Sequence, residues 1–262
     1  MIKNTKIDNG REFDWGRTSG DYAKYRDIYP KEFYQKLLDM DLCVDRQKVL
    51  DIGTGTGVLP RNLYRYGAEF TGIDISKNQI EQAVLLAKKS DMAIDFQCVP
   101  AEKIDYPCDS FDVVTACQCF TYFNHEELAP KIHKMLKPNG RFVVLYMAWL
   151  PFEDLIAGKS EALILKYNPV WTGCKEMRHP ISIPEDYKEY FTLENQEVFD
   201  VSVSFNRESW NGRMKSCRGI EASLSPEEVR QFDQEHRKLL EEIAPEDFTI
   251  LHYAAITVLR KN

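Results

Sequence analysis

The sequence predicts an α/β protein: a doubly wound, mostly parallel seven-stranded sheet with an antiparallel last strand and an insertion after strand five. Two observations predict this class. Short apolar segments alternate with helical segments from residue 48 to residue 149, which favours parallel strands joined by crossover helices. The length of 262 residues also fits one large domain with a modest insertion.

The first half of the chain contains four of the predicted strands. Pro30 can begin a helix, and QKVLDIG is typical of a buried strand that enters a glycine-rich turn. The segment VLPRNLYRYG then predicts a helix that Gly67 ends. After it we expect strands in EFTGIDIS, AIDFQCVP and SFDVVTACQCF, with a helix from Asn78 to Lys89 after the first of them.

The second half completes the sheet. We expect a helix from Asn124 to Leu136, with Asn124 and Glu127 as a candidate capping box. A turn of Pro138, Asn139 and Gly140 precedes a fifth strand in RFVVLYMAWL. Two further strands are predicted in QEVFDVSVSF and DFTILHYAAITVLRK, with a helix from Pro226 to Ile243 between them. The final strand alternates in polarity and is expected to run antiparallel.

These elements suggest four segments. Residues 1–48 form an N-terminal helical cover, and 49–150 form the ligand-binding core. Residues 151–195 break the strand–helix rhythm, so we expect an insertion that acts as a lid over the substrate. Residues 196–262 supply the remaining strands and helix of the sheet.

Composition excludes several classes of protein. The net charge of −7 argues against a nucleic-acid binder, since phosphate contacts need clustered Lys and Arg. The sequence lacks an apolar run long enough to span a membrane, and its start lacks the apolar core of a secretory signal. The seven cysteines include no C-x-x-C pair and no zinc-like spacing with histidine, which favours free thiols in a cytoplasmic protein without a metal site.

The segment VLDIGTGTG is the most informative part of the chain. Its glycines, Gly53, Gly55 and Gly57, allow main-chain atoms to approach a ligand closely. Asp51 can hold loop amides or a ligand ammonium group, and Asp74 lies about 20 residues beyond the loop, the spacing typical of a ribose diol contact. Val58 breaks the dinucleotide fingerprint, and no lysine completes a phosphate-binding loop, so the pattern favours a cationic, zwitterionic ligand over a polyphosphate.

Four segments in this order resemble one family. VLDIGTGTG, TGIDIS, AEKIDYPCDSFDVVTACQCFTYF and LKPNGRFVV are similar to the class I S-adenosylmethionine-dependent methyltransferases, and most similar to their small-molecule branch, the type 11/25-like domains. The resemblance implies a Rossmann-like fold and transfer of a methyl group to a small-molecule acceptor. It implies S-adenosyl-L-methionine as the cofactor and S-adenosyl-L-homocysteine as the product.

The resemblance also implies roles for individual residues. Gly53, Thr54 and Gly55 would contact the methionine part and the ribose. Asp74 would accept hydrogen bonds from both ribose hydroxyls. The other implied contacts are Ile75 on the adenine face, Ala101 and Glu102 at the adenine edge, Cys117 and Gln118 near the sulfonium, and Tyr25 and Arg26 over the cofactor or at its carboxylate.

The chemistry leaves the acceptor open. A sulfonium methyl is already electrophilic, so the protein must align the reactants and exclude water, and needs a base only for a protonated acceptor. The methylated atom can be O, N, C or S, and no catalytic residue is assigned, although His179 is the best candidate base. Aromatic residues predict a closed acceptor pocket, with Tyr122, Tyr146, Trp171 and His179 as candidate lining residues.

The sequence also allows other functions. The same fold can carry a different S-adenosylmethionine-using enzyme or a non-catalytic cofactor-binding module. A thiol-dependent arsenical or metal methylation would need Cys117, Cys119 and Cys174 to converge. The run Ala116 to Phe120 lacks the N/D-P-P-Y/F pattern of enzymes that methylate nucleic-acid bases. The chain is expected to be a monomer or a homodimer.

Overall fold

A computed structural model describes residues 3–262 and contains a seven-stranded sheet. The strand order is β3-β2-β1-β4-β5-β7-β6, mostly parallel with antiparallel last strands, which confirms the predicted fold. The strands are β1 (Lys48–Ile52), β2 (Glu69–Asp74), β3 (Asp95–Cys98), β4 (Phe111–Cys117), β5 (Leu136–Trp149), β6 (Phe191–Asn206) and β7 (Asp247–Lys261).

Eight α-helices are found in this described part of the chain. They are α1 (Ser19–Tyr25), α2 (Lys31–Asp39), α3 (Val58–Leu63), α4 (Lys77–Lys89), α5 (His125–Met135), α6 (Leu155–Tyr167), α7 (Arg207–Lys215) and α8 (Pro226–Ile243). None of the helices in residues 3–262 is long and apolar enough to cross a bilayer.

The parallel register brings the ends of several strands to one edge. β1 lies between β2 and β4, and Asp51 pairs with Gly72 on one side and with Thr115 on the other. Asp74 pairs with Cys98 at the end of β3. Because the carboxyl ends of parallel strands share an edge, the segments that follow β1, β2 and β4 leave the sheet together, where ligands bind in such folds.

The chain forms two compact units. The first unit consists of the chain up to Pro30 together with Ala148–Arg178 and Asp200–Tyr253. The second unit consists of Lys31–Met147, His179–Phe199 and Ala254–Asn262, and it contains the whole glycine-rich segment. The predicted lid of residues 151–195 is therefore divided between the units, and its role as a substrate cover stays a prediction.

Each unit has its own aromatic core. In the second unit, Phe142 stacks on Tyr187 with ring centroids 5.6 Å apart, among buried aliphatic residues of β1, β4 and α5. In the first unit, Trp149 contacts Trp171 at 6.2 Å and Trp210 at 5.9 Å. The predicted aromatic residues of the insertion thus supply buried packing as well as surface.

Some local predictions need correction. The Asn124 side chain does not cap α5: its amide donates to the Glu127 carboxylate, which replaces the backbone bond that a capping box requires. The predicted turn at Pro138 and Asn139 lies inside β5, because the pairing of β4 with β5 contains an irregularity there that absorbs the extra residues. The sequence did not predict α7 as a helix, and β6 begins earlier than expected, at Phe191.

Candidate functional site

The glycine-rich segment turns sharply between β1 and α3. Gly53, Gly55 and Gly57 have φ values of 65°, 56° and 72°, in the left-handed region that favours glycine. The Thr54 N–H donates to the Ile73 carbonyl at 2.8 Å, so the turn is tied to the neighbouring strand β2. The segment is a fixed loop whose backbone conformation depends on the glycines.

Close packing gives a second reason for glycine in this loop. A Cβ at Gly53 would lie 2.7 Å from the Cβ and Sγ atoms of Cys119. A Cβ at Gly57 would lie 2.6 Å from the Phe96 ring, which also covers Gly72. Sequence reasoning missed Phe96, since only the three-dimensional neighbourhood of two distant glycines reveals it.

Asp74 holds the loop from the end of β2. One carboxylate oxygen accepts from the Gly55 N–H at 2.9 Å, and the other accepts from the Ser76 N–H at 2.8 Å. Burial raises the pKa of Asp74, while the two backbone donors oppose that effect. A carboxylate has about four acceptor positions, so two remain for ligand hydroxyls after both backbone bonds are made.

Asp51 is a buried acid next to the same loop. It is 1% exposed, and the Thr115 hydroxyl donates to it at 2.6 Å. Burial raises the pKa of Asp51 to about 6, and the nearby hydroxyl groups of Thr115 and Thr54 oppose this shift. A positively charged ligand group nearby would favour the charged form of Asp51, so the site is suited to a cationic ligand.

The residues after β4 contact the glycine loop. Gln118 has a φ of 64°, and its N–H donates to the Leu145 carbonyl of β5 at 3.0 Å. The next residue, Cys119, donates from Sγ to the Ile52 carbonyl at 3.0 Å, and burial raises the pKa of its thiol. Cys117 ends β4 and is partly exposed. Cys119 is therefore a protonated packing residue of the loop, a role that sequence reasoning missed.

The predicted adenine contacts surround the ends of β2 and β3. Ile75 is 58% exposed, an unusual degree for an apolar side chain directly after a buried strand. Ala101 is buried at the start of a single helical turn. The carboxylate of Glu102 accepts from the Asn124 N–H at 3.0 Å, so Glu102 tethers the start of α5. Ile75 offers the apolar surface that a flat base would cover.

The candidate acceptor residues are divided between the two units. Tyr146 and His179 belong to the second unit, with ring centroids 6.1 Å apart. His179 is exposed, and its Nδ1 lies 2.9 Å from the Pro180 carbonyl oxygen. Tyr122, also in the second unit, ends a single helical turn after β4. Trp171 belongs to the first unit and is buried to 5% exposure against Trp149.

Tyr25 and Arg26 also belong to the first unit. The Tyr25 hydroxyl donates to Glu208 at 2.6 Å, and the Arg26 guanidinium lies 4.5 Å from the centroid of the Tyr22 ring. Their contact with a cofactor stays a prediction. Within residues 3–262, no group of three or more His, Cys, Asp or Glu side chains could hold a metal ion.

Comparisons with known proteins agree with this geometry. The methyltransferase domain family matches the stretch that runs from β1 into β5. The match covers residues 50–144. The matched stretch includes the glycine loop, Asp51, Asp74 and the segment after β4.

Curated proteins are similar to part of this chain. A ubiquinone biosynthesis O-methyltransferase from Bradyrhizobium diazoefficiens is 36% identical over 141 residues, which are 53% of this chain and 55% of that protein. A protein of the same name from Bartonella bacilliformis is 29% identical over 170 residues, 63% of this chain and 66% of that protein. The matched segments thus cover less than two thirds of either relative.

Solved structures share the fold of most of this chain. The YcgJ protein of Bacillus subtilis aligns with a TM-score of 0.54 at 18% identity, over 89% of this chain and 99% of that chain. A putative sarcosine dimethylglycine methyltransferase from Galdieria sulphuraria aligns with a TM-score of 0.53 at 16% identity, over 88% of this chain and 84% of that chain. At these identities the likeness is one of fold.

Proposed function

We propose that this protein is an S-adenosyl-L-methionine-dependent methyltransferase that acts on a small molecule. One observation carries the proposal. Asp74, at the end of β2, is fixed by the Gly55 and Ser76 amides beside a loop of left-handed glycines, inside a methyltransferase domain. This arrangement leaves two acceptor positions for the vicinal hydroxyls of a ribose.

The proposed cofactor contacts are those that the sequence resemblance implies. Asp74 would accept from both ribose hydroxyls, and Ile75 would cover the adenine. Ala101 and Glu102 would meet the adenine edge, and Cys117 and Gln118 would lie near the methionine part. Asp51, whose pKa burial raises to about 6, would stabilise the loop amides or the ammonium group of the cofactor.

The cofactor, when bound, supplies a methyl group on a positively charged sulfur. The protein's part is to bind and orient the two reactants and to exclude water. The transfer then needs no protein nucleophile. A base is needed only where the acceptor loses a proton, and His179, which is exposed, is the candidate for that role. Tyr122, Tyr146 and Trp171 are proposed lining residues of the acceptor pocket.

The acceptor is proposed to be a small molecule, and the protein is proposed to work in the cytoplasm as a monomer or a homodimer. The relatives' name, ubiquinone biosynthesis O-methyltransferase, makes oxygen acceptors the first to test. The acid excess of the chain argues against a nucleic-acid acceptor.

Calorimetric titration with S-adenosyl-L-homocysteine and with NAD tests the cofactor. We expect S-adenosyl-L-homocysteine to bind and NAD to fail. Asp74→Ala should weaken S-adenosyl-L-homocysteine binding by about 100-fold, because two charge-assisted hydrogen bonds to the ribose and the support of the loop are lost. Asp95→Ala, at an exposed position on β3, is the matched control and should leave the affinity unchanged.

Transfer is tested with methyl-labelled S-adenosyl-L-methionine and a panel of phenols, amines and thiols. Label that appears in an acceptor supports the proposal. Cofactor binding without transfer to any acceptor would favour a different enzyme on the same fold or a non-catalytic module. Well-folded protein that binds neither S-adenosyl-L-methionine nor S-adenosyl-L-homocysteine would contradict the proposal outright.

A further inference from the structure

The first unit contains a buried arginine that has no acidic partner among residues 3–262. Arg213, on α7, is 6% exposed. Its Nε and Nη1 atoms are buried and have no hydrogen-bond partner in the described part of the chain. Two buried guanidinium nitrogens without acceptors lose their hydration and gain no hydrogen bond in return, which is a cost to the folded protein.

Arg218, in the same unit, is a structural arginine with an acidic partner. Its Nε lies 2.8 Å from one carboxylate oxygen of Asp8, and its Nη2 lies 3.1 Å from the other. Asp8 is fully buried, and the Thr172 N–H and hydroxyl donate to the same carboxylate. The contrast indicates that Arg213 is kept for a partner that is not part of the protein.

The surroundings of Arg213 are aromatic and positively charged. Its guanidinium lies 5.0 Å from the centroid of the Trp149 ring. Burial and the charge of Arg26 lower the pKa of Arg213 to about 9, so the side chain is still a cation at neutral pH. Arg26 in turn lies over Tyr22. Two cations and two aromatic faces favour an anion that is attached to an apolar group.

Contacts between α1 and α7 fix these two arginines. Asp21 of α1 pairs with Lys215 of α7 at 2.7 Å, and Tyr25 donates to Glu208. The Tyr25 ring also packs against Gly212, where a Cβ would lie 2.3 Å from it. Because Arg26 follows α1 directly and Arg213 lies within α7, their guanidinium groups are held on a rigid support, as a preformed binding site requires.

We propose that Arg213 and Arg26 bind the carboxylate of the methyl acceptor, and that the acceptor joins this carboxylate to an apolar, aromatic-sized body. The guanidinium group matches a carboxylate in shape and donors, and the Trp149 and Tyr22 rings supply the apolar faces. This inference rests on the proposed methyltransferase function, since it names the class of its second substrate.

A carboxylate can come from two sources, the acceptor or the methionine part of the cofactor. Arg213 lies outside the stretch of residues 50–144 that carries the proposed cofactor contacts other than Tyr25 and Arg26. The sequence resemblance leaves Arg26 a choice between covering the cofactor and binding its carboxylate, and it gives Arg213 no cofactor role. We therefore assign the carboxylate to the acceptor, and the experiment separates the two sources.

The first arm measures carboxylate binding. Protein saturated with S-adenosyl-L-homocysteine is titrated with benzoate and with the neutral benzamide, in calorimetry. We expect benzoate to bind at least about tenfold more tightly than benzamide, which corresponds to one charge-assisted interaction. Arg213→Met and Arg26→Met should remove this preference, and Arg213→Lys should keep part of it. Arg230→Met removes an exposed arginine of α8 and should change nothing.

The second arm identifies the source of the carboxylate. S-adenosyl-L-homocysteine carries a carboxylate, whereas 5′-methylthioadenosine lacks the whole amino-acid part. Arg213→Met should leave the affinity for both nucleosides unchanged. A selective loss of S-adenosyl-L-homocysteine affinity would overturn the assignment to the acceptor and move the carboxylate to the cofactor.

The remaining outcomes are also decisive. If the wild type does not distinguish benzoate from benzamide at millimolar concentration, the carboxylate subsite is wrong. The same holds if Arg213→Met keeps the preference. Failure of the methyltransferase function itself would be visible separately, as absent S-adenosyl-L-homocysteine binding in protein that still distinguishes benzoate from benzamide.

Discussion

Each of the two units contains a buried titratable group, and the pKa values of these groups shift in opposite directions. In the second unit, Asp51 is a buried acid next to the glycine loop, and burial raises its pKa to about 6. In the first unit, His236 on α8 is a fully buried base, and burial lowers its pKa to about 4. Both shifts disfavour a charge inside the protein. The pKa of Asp51 lies close enough to neutral pH for a bound ligand to change its ionisation. The pKa of His236 is too low for that, so the histidine stays neutral.

Their partners explain the difference. His236 contacts the Asn211 side chain through Nδ1 at 2.7 Å and the Ser160 hydroxyl through Nε2 at 2.9 Å, so both ring nitrogens are satisfied in the neutral state. Asp51 accepts a hydrogen bond from the Thr115 hydroxyl, and no Lys or Arg within residues 3–262 pairs with it. A satisfied neutral network indicates a structural role, whereas an acid with a pKa of about 6 beside the glycine loop is suited to a cationic ligand.

The strongest test of the second unit is Gly53→Ala. The new Cβ would lie 2.7 Å from Cys119 atoms, on a residue with a φ of 65°. Left-handed strain of about 1–2 kcal/mol and overpacking of about 1–3 kcal/mol together predict a loss of about 2–5 kcal/mol in the free energy of unfolding. Urea denaturation measures it, and S-adenosyl-L-homocysteine affinity should fall as well.

Gly20→Ala is the matched control in the first unit. Gly20 lies within α1, and a Cβ there would meet nothing within 4 Å. This variant should be neutral or more stable by up to about 1 kcal/mol, because alanine favours helix. Equal effects at both glycines would show that the loop is not specially constrained.

Acid should destabilise the first unit through His236. In the unfolded chain this histidine titrates near 6.5 and in the folded unit near 4, so its contribution is complete above pH 6.5 and is lost as the pH falls toward 4. The two pKa values correspond to roughly 3 to 4 kcal/mol. Urea denaturation at pH 7 and pH 4 should show a smaller drop in His236→Gln than in the wild type. An identical drop would argue against a buried neutral histidine.

Asp51 should give the opposite pH dependence, of roughly 3 kcal/mol. Its pKa is higher in the folded protein than the unfolded value of 3.8, so its stabilising effect is complete below pH 3.8 and is lost as the pH rises through about 6. Asp51→Asn should therefore increase the free energy of unfolding at pH 7 and not at pH 3.8.

The ligand-free protein is the right material for this measurement. A bound ammonium group would favour the charged form of Asp51 and release a proton near pH 6. Proton release on S-adenosyl-L-homocysteine binding, measured by calorimetry in buffers of different ionisation enthalpy, should be present in the wild type and absent in Asp51→Asn. Release that persists in the variant would assign the proton to another group.

Local sequence patterns were enough to predict the sheet. Apolar period and turn residues located each strand from β1 to β7, and the Ser225 and Pro226 signals placed α8 with its capping box. The same patterns failed for α7, whose sequence is polar and contains Gly212. That helix depends on tertiary contacts, since the Tyr25 ring packs on the glycine that would otherwise weaken it.

The candidate site was predictable only as a loop. The spacing of Gly53, Asp74 and Asp51 identified which residues to examine. The contacts of Phe96 and Cys119 with the loop glycines join segments far apart in sequence, so no local pattern encodes them. The unpartnered state of Arg213 is also invisible in sequence, because it depends on which acids the fold fails to place nearby.

The smallest expected effect on stability belongs to Arg213→Met, and its size tests the contrast between the units. An arginine that served structure would cost several kcal/mol when removed, as breaking a buried ion pair does. Arg213 has two unsatisfied buried nitrogens and is disfavoured by Arg26, but its substitution also removes the favourable contact of the guanidinium with the Trp149 ring. Because these effects oppose each other, the free energy of unfolding should change by less than about 1 kcal/mol, with a gain in stability the expected direction. Urea denaturation of Arg213→Met, with Arg230→Met as the control, measures this change in the free energy of unfolding. A decrease of 3 kcal/mol or more in the free energy of unfolding would mean that Arg213 is a structural residue with a partner inside the folded protein. The distinction between satisfied and ligand-dependent buried charges would then not hold for the first unit.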